Sequence, residues 1–209
     1  MASLTPNNNA LGTVFARHLL RRSSFVYLKT TIEQFSTLTP SQALDLLFVD
    51  ESLKLALPQD PLEESSSKYW TQVPSSTKLP NAFLAQPRKR SIVSGWWWYN
   101  AINSPTLKYK ISHFLSTRFT VEKNLCGAST YFYDHIGLLL FYASNGNYKE
   151  LAKKMTLDNA MLIYLNNTSN TKSAPNENYA REFLELFTIG KGPQIAAGNY
   201  TTYTEADVV

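Results

Sequence analysis

The spacing of apolar residues is the feature of this sequence that most constrains its fold. They recur at intervals of three and four, as at Leu107, Ile111, Phe114 and Leu115, and no strand-like alternation runs longer than four residues. A composition of 44% hydrophobic and 17% charged residues is typical of a globular chain with a buried core. We therefore predict an all-α protein, an irregular multi-helix bundle.

Start and stop signals give the helix positions. Thr39 can cap a helix that has Pro40 at its first position and Gln42 completing a capping box. Gly146 predicts the end of a mostly buried helix, and Asp158 predicts the start of another. We expect helices near residues 10–22, 40–48, 89–102, 105–118, 129–144, 148–155, 159–165 and 176–189.

Residues 58–87 have a different composition, with five prolines and three consecutive serines. Proline interrupts the hydrogen bonding of a helix, so this density predicts a long, irregular Pro/Ser-rich connection. The last residues, YTEADVV, carry a helix-capping signal with little sequence after it. We expect residues 1–209 to form a single α-helical domain or the N-terminal part of a larger one.

Charge argues against a nucleic-acid partner, although the net charge is +4. Residues 1–105 hold ten Lys/Arg and seven Asp/Glu, and residues 106–209 hold ten and nine, so no basic face is concentrated. No apolar run predicts a membrane span, and the N-terminal residues lack a signal-peptide pattern, which favours the cytoplasm by default. A protein partner and a small-molecule ligand stay open, and the sequence names neither a cofactor nor a metal.

The segment from residue 176 to 189 separates into two faces on a helical wheel. Its polar face, an arc of roughly 140° in α-helical geometry, holds Glu177, Asn178, Arg181, Glu182, Glu185 and Thr188. Phe183, Leu186 and Phe187 lie on the opposite face, and we predict that they are in the core. The polar face fits a solvated surface, a buried network between helices, or a carboxylate or metal site.

Several segments resemble one protein family. The stretch PNENYAREFLELFTIGKG, residues 175–192, resembles the signature of the domain-of-unknown-function 1800 family of uncharacterised bacterial proteins. HLLRRSSF at 18–25, MTLDNAMLIYLNNTSN at 155–170 and YTEADVV at 203–209 resemble further family segments in the same order. The resemblance covers essentially the whole chain and implies a fold without a known reaction. Family members are typically about twice this length, which implies that this chain is a fragment corresponding to their N-terminal half.

The family comparison also bears on His113. Many members have W-H-x-H-F where this chain has KISHF, residues 110–114. His113 matches the second histidine of that motif, but Ile111 stands at the first. The resemblance therefore does not carry a two-histidine metal site over to this sequence.

Two classes of function follow from these patterns. In the first, the chain is an enzyme with an acidic, helix-lined cleft completed by a missing C-terminal half, and Glu182, Glu185 and His113 are the catalytic candidates. In the second, it is a non-catalytic scaffold or partner-binding protein with a buried polar network. The network residues would be Asn176, Glu177, Asn178, Arg181, Arg21 and Arg22. We expect Asn178, Arg181 and Glu182 to be largely buried, Arg21 or Arg22 to be the cationic partner, and Glu185 to lie nearest a cleft.

Two other groups of residues have a structural explanation. Three consecutive tryptophans, Trp96 to Trp98, span about 200° of a helix, so they cannot all face one core. Packing between helices explains them better than a carbohydrate platform. The histidines His18, His113 and His135 lie in apolar helical contexts, which favours core or boundary positions.

Overall fold

The computed structural model describes residues 7–49, 57–58, 82–174 and 176–208. Within these ranges the protein is helical, as the sequence predicts, with one two-stranded hairpin near its C-terminal end. The helices are α1 Gly12–Ser23, α2 Lys29–Ser36, α3 Pro40–Leu47, α4 Ala82–Asn103, α5 Lys108–Ser116, α6 Ser129–Asn145, α7 Tyr148–Met155, α8 Asn159–Tyr164 and α9 Asn178–Glu182. None of them is long and apolar enough to cross a membrane.

Local signals set several of these ends as predicted. The Thr39 backbone N–H donates to Gln42 Oε1 at 3.0 Å, and the Gln42 N–H donates to Thr39 Oγ1 at 3.3 Å, which completes the capping box of α3. Gly146 ends α6 in the left-handed conformation at φ 66°, which glycine adopts without steric cost. Asp158 caps α8 by accepting the Met161 N–H at 2.9 Å.

Two helical segments differ from the prediction. α2 was not predicted, because its eight residues include the β-branched Thr30, Thr31 and Ile32 and it has no side-chain cap. It is stabilised by packing, since Phe35 is buried against α1 and α3. α4 begins at Ala82, six residues inside the segment 58–87 that was expected to be irregular, and includes Pro87. The rest of that segment, apart from residue 58, lies outside the described residues.

The core has two main parts. Phe35 packs with Leu20 of α1 and Leu47 of α3 in an N-terminal cluster. A larger cluster joins α5 to α9 around Phe119, Leu139, Leu151, Met161 and Phe187. α6 is the central element of the second part, because it packs against α4, α5, α7 and α8.

The predicted helix 176–189 contains a change of winding. After α9 the chain continues as a π-helical turn, Phe183–Thr188, in which the Thr188 hydroxyl donates to the Phe183 carbonyl at 2.8 Å. Gly190 then ends the turn in the left-handed conformation, and its N–H donates to Leu184 O at 3.0 Å. A small antiparallel hairpin follows, with β1 Gln194–Ala196 paired to β2 Asn199–Tyr200.

The wider turn changes which residues reach the core. Phe187 is buried at 6% exposure, as predicted, and Phe183 is half-buried and stacked on Tyr179 at 6.1 Å between ring centroids. Leu186, predicted to be in the core, is 57% exposed. A wheel drawn at 100° per residue misplaces Leu186 because a π-turn advances each residue by a smaller angle than an α-turn.

The altered register predicts opposite effects for two neighbouring substitutions. Phe187→Ala should lower the free energy of unfolding by ~3–5 kcal/mol, because it leaves a cavity beside Phe119. Leu186→Ala should change it by no more than ~0.5 kcal/mol, because that side chain is mostly in solvent. Urea denaturation of the two variants measures both values, and equal losses would contradict the π-helical register.

Candidate functional site

Asn176 holds the loop that leads into α9. Its N–H donates to Asn170 Oδ1 at 3.0 Å, and Asn170 Nδ2 donates back to the Asn176 carbonyl at 3.2 Å. Asn176 Nδ2 also donates to Asn166 O at 3.2 Å, and Asn176 Oδ1 accepts the Asn178 N–H at 3.0 Å. These bonds satisfy the backbone groups of a tight loop, so the structure gives Asn176 a local structural role.

Burial of the polar face is lower than the sequence suggested. Asn178 is exposed, with Nδ2 donating to Leu165 O at 3.4 Å, and Arg181 and Glu182 are half-buried. The expectation that these three residues are largely buried is therefore wrong for Asn178 and overstated for the other two. The cause is that the covering segment, residues 190–208, packs over only part of this face through Glu205 and Tyr203.

Arg181 connects α9 to the C-terminal segment. Its Nη2 lies 3.0 Å from Glu177 Oε2, one turn earlier on the chain, and 2.9 Å from Glu205 Oε1. The hydrogen bond to Glu177, followed by that to Glu205, raises the pKa of Arg181 above its already high usual value. One nitrogen of the guanidinium thus ties two carboxylates that are distant from each other in sequence, because it carries two N–H donors.

Arg181, and not Arg21 or Arg22 as expected, is the cation that pairs with the acidic residues of this region. Arg21 and Arg22 lie in the last turn of α1, where both are exposed, and in the described parts of the chain neither forms an ion pair with the acidic face. α1 belongs to the N-terminal cluster, whereas α9 packs with α5 to α8. Separation of these two packing units explains why the pairing does not form.

Glu185 is held by two partners from the segment that follows it. Its Oε1 accepts from Lys191 Nζ at 3.0 Å, and its Oε2 accepts from the Tyr203 hydroxyl at 2.9 Å. The hydrogen bond from Lys191, with a smaller contribution from Tyr203, holds the pKa of Glu185 below its ordinary value. An ionised carboxylate with both oxygens engaged fits a structural role better than that of a general acid.

This bonding makes a pH-dependent prediction. Because the pKa of Glu185 is lower in the folded than in the unfolded chain, its ionised form stabilises the fold at pH values above about 4.3, the usual glutamate pKa. That stabilisation is lost as the pH falls through the folded pKa. Wild type should have a higher urea midpoint than Glu185→Gln at pH 7, and the difference should disappear at low pH. A difference that stays constant with pH would contradict the assignment.

Glu182, rather than Glu185, lines an open pocket. This pocket of about 570 Å³ lies beside the π-turn and is also lined by Thr117, Arg118, Tyr164 and Leu186. The Glu182 carboxylate accepts no hydrogen bond from the described residues, and the pocket contains one acidic and one basic side chain. The arrangement can bind a polar or charged group, and its described lining residues include no histidine.

His113 belongs to a different pocket. Its ring lies 5.7 Å from that of Phe25 and 6.2 Å from that of Trp97, measured between centroids. Trp97 is buried, Trp96 is half-buried against Tyr133, and Trp98 is exposed, so the three tryptophans face different surroundings as predicted. His18 and His113 are exposed, which contradicts the core or boundary positions expected for them. His113 and Glu182 thus line separate pockets.

The strongest buried polar contact joins two residues that the sequence did not connect. His135 Nδ1 is hydrogen-bonded to Asp158 Oδ2 at 2.9 Å, and His135 Nε2 is hydrogen-bonded to the Phe119 carbonyl at 3.0 Å. The side chains of His135 and Asp158 are each 3% exposed. Both ring nitrogens of His135 are thus engaged by groups from other parts of the chain. Capping had identified Asp158, but its long-range partner left no signal in the sequence.

Two capping residues provide a matched test of this contact. Asn147 caps α7 by accepting the Glu150 N–H at 3.1 Å and is exposed, so Asn147→Ala should cost about 1 kcal/mol of unfolding free energy. Asp158→Ala also leaves His135 without its carboxylate and should cost ~3–5 kcal/mol. Urea denaturation gives both values. Similar losses would show that the contact with His135 adds little to the cap.

Metal and acid–base chemistry receive limited support from these positions. Within the described ranges, no group of three or more His, Cys, Asp or Glu side chains could hold a metal ion. Glu185 is engaged by Lys191 and Tyr203, and Glu182 shares its pocket with Arg118. The geometry therefore brings Arg181, Glu177 and Glu185 into one network with the C-terminal segment, and leaves Glu182 and His113 outside it.

Fold and site together define a helical protein in which a polar network fastens the C-terminal segment, with one pocket between α4, α5 and α6 and another beside the π-turn. The family model described as "Protein of unknown function (DUF1800)" matches residues 18–209. This match covers most of the chain, so the protein belongs to that family, as the resemblance of its segments implied. No curated protein and no solved structure matches the chain.

Proposed function

We propose that this protein is a non-catalytic helical binding protein in which the acidic and arginine residues of α9 form a structural network. The observation that carries the proposal is the bridge made by Arg181 between Glu177 at 3.0 Å and Glu205 at 2.9 Å. A second link, from Glu185 to Lys191 and Tyr203, fastens the same segment one turn further along. Charged groups that bind one another are poorly placed to act on a substrate.

The binding surface in this proposal is the pocket beside the π-turn. Glu182 and Arg118 supply opposite charges there, Thr117 supplies a hydroxyl, and Tyr164 and the exposed Leu186 supply apolar surface. Such a mixture fits a polar partner that presents both a cationic and an anionic group. The network in turn fixes the π-turn that presents Glu182 and Leu186.

An enzyme that uses Glu182 as an acid or base is the second candidate. It is favoured by the position of this carboxylate in an open pocket beside the Thr117 hydroxyl. The two candidates differ in what the carboxylates do, since a structural network acts on stability and a catalytic or metal-binding carboxylate acts on the ligand.

Three substitutions in the full chain separate these roles. Arg181→Met and Glu185→Gln should both lower the urea midpoint, and Arg181→Met should lower the free energy of unfolding by up to about 1 kcal/mol. Both variants should also speed amide exchange in residues 190–208. Glu182→Gln should change neither quantity, because Glu182 is not part of the network. Amide exchange measured by mass spectrometry locates the effect.

Metal content measured on the same proteins tests the alternative. A metal retained by the wild type and released by Glu182→Gln or Glu185→Gln, with stability and exchange unchanged, would overturn the structural role and favour the enzyme. Unchanged exchange of residues 190–208 in Arg181→Met would also contradict the proposal.

A further inference from the structure

A pocket between α4, α5 and α6 has features of a small-molecule site that the polar network does not explain. Its volume is about 330 Å³, and its lining includes Trp97 and Trp98 from α4, Ser112 and His113 from α5, and Phe132 and His135 from α6. Ligand pockets begin at about 300 Å³, and a cavity of about 150 Å³ can already hold benzene. The space therefore fits one or two small rings.

The charge of this lining favours a neutral ligand. Among the described residues that form it there is no Lys, Arg, Asp or Glu, and His113 and His135 are the ionisable side chains of that set. Both ring nitrogens of His135 are already engaged, by Asp158 and by the Phe119 carbonyl. A charged ligand would lose its hydration without gaining an opposite charge.

One hydroxyl group points to where a ligand would be held. Ser112 is buried at 2% exposure, lines the pocket, and makes no hydrogen bond with any described residue. The other hydroxyls of the lining are satisfied by the backbone: Ser94 by Arg90 O at 3.1 Å, Ser116 by His113 O at 2.7 Å and Thr120 by Ser116 O at 3.0 Å. The Ser112 hydroxyl is therefore free to bond with a polar group of a ligand in the pocket, whereas the other three hydroxyls are already engaged.

The aromatic side chains determine the shape of the ligand. Trp97 and Trp98 lie 4.9 Å apart at 86°, and Phe25 contacts both edge to face at 5.8 Å and 5.4 Å between centroids. Aromatic rings prefer such edge-to-face contacts, so this arrangement can add another planar ring. A sugar would need several polar partners, and of the described hydroxyls in the lining only that of Ser112 is unsatisfied.

We propose that this pocket binds a small, neutral, planar aromatic molecule with one hydroxyl or carbonyl group. The ring lies against Trp97 and Trp98, and its polar group exchanges a hydrogen bond with the Ser112 hydroxyl. The site uses none of residues 177–205, so it goes beyond the proposed function and does not depend on it.

Phenol and toluene form the central test, because they have nearly the same shape and differ in the polar group. Saturation-transfer NMR and calorimetry on the full chain should show phenol binding with a Kd below about 1 mM, within the range open to so small a ligand, and toluene binding more weakly. Benzoate, cyclohexanol and glucose test charge, planarity and polarity, and each should bind more weakly than phenol.

Two variants assign the binding to this pocket. Ser112→Ala should weaken phenol about 5- to 10-fold and leave toluene unchanged, because it removes only the hydrogen bond. Trp98→Ala should weaken both ligands, and since Trp98 is 48% exposed, circular dichroism should show that the fold is retained. Ser144→Ala, an exposed serine of α6 outside the pocket, is the control and should bind like the wild type.

Several results would overturn the inference. These are no saturable phenol binding by the wild type, a preference for phenol over toluene that survives Ser112→Ala, and affinity for benzoate, cyclohexanol or glucose equal to that for phenol. Unchanged binding by Trp98→Ala would place the ligand elsewhere.

Discussion

His135 connects three parts of the helical core through its two ring nitrogens. From α6 it is hydrogen-bonded to Asp158, which caps α8, and to the carbonyl of Phe119, which follows α5. All of these groups are buried, so none can exchange its partner for water. The contact therefore fixes where α8 begins relative to α6, and with it the loop that leads through Asn176 into α9.

The π-helical turn that follows α9 determines which side chains of this segment are exposed to solvent. An uninterrupted α-helix would turn Leu186 toward the core, but the π-turn leaves it exposed, with Glu182 in an open pocket beside it. The winding is held in place by Phe187, whose ring packs on Phe119 and whose carbonyl accepts from the Tyr148 hydroxyl. The π-helical turn thus links the open pocket lined by Glu182 and Leu186 to the core packing of Phe187. Turns of this kind frequently occur at functional sites of proteins.

Two chemically different pockets meet at Thr120, which lines both. One has His113 and Ser112 beside tryptophans and no Lys, Arg, Asp or Glu among its described residues, and the other has Arg118 with Glu182. His113 and Glu182 therefore do not line the same pocket.

The sequence by itself determined the helical class, the family, and the ends of helices that depend on local chemistry, such as the capping box at Thr39 and the left-handed Gly146. Those features were predictable because the interacting groups lie within one or two turns of each other. Tertiary structure decided the rest. α2 forms because Phe35 is buried in the N-terminal cluster. The cation that pairs with Glu205 is Arg181, whereas Arg21 or Arg22 was the cation expected for the acidic residues. The amino-acid sequence shows which residues have the chemistry to pair with one another. Packing of the helices then determines which of these residues come within hydrogen-bonding distance.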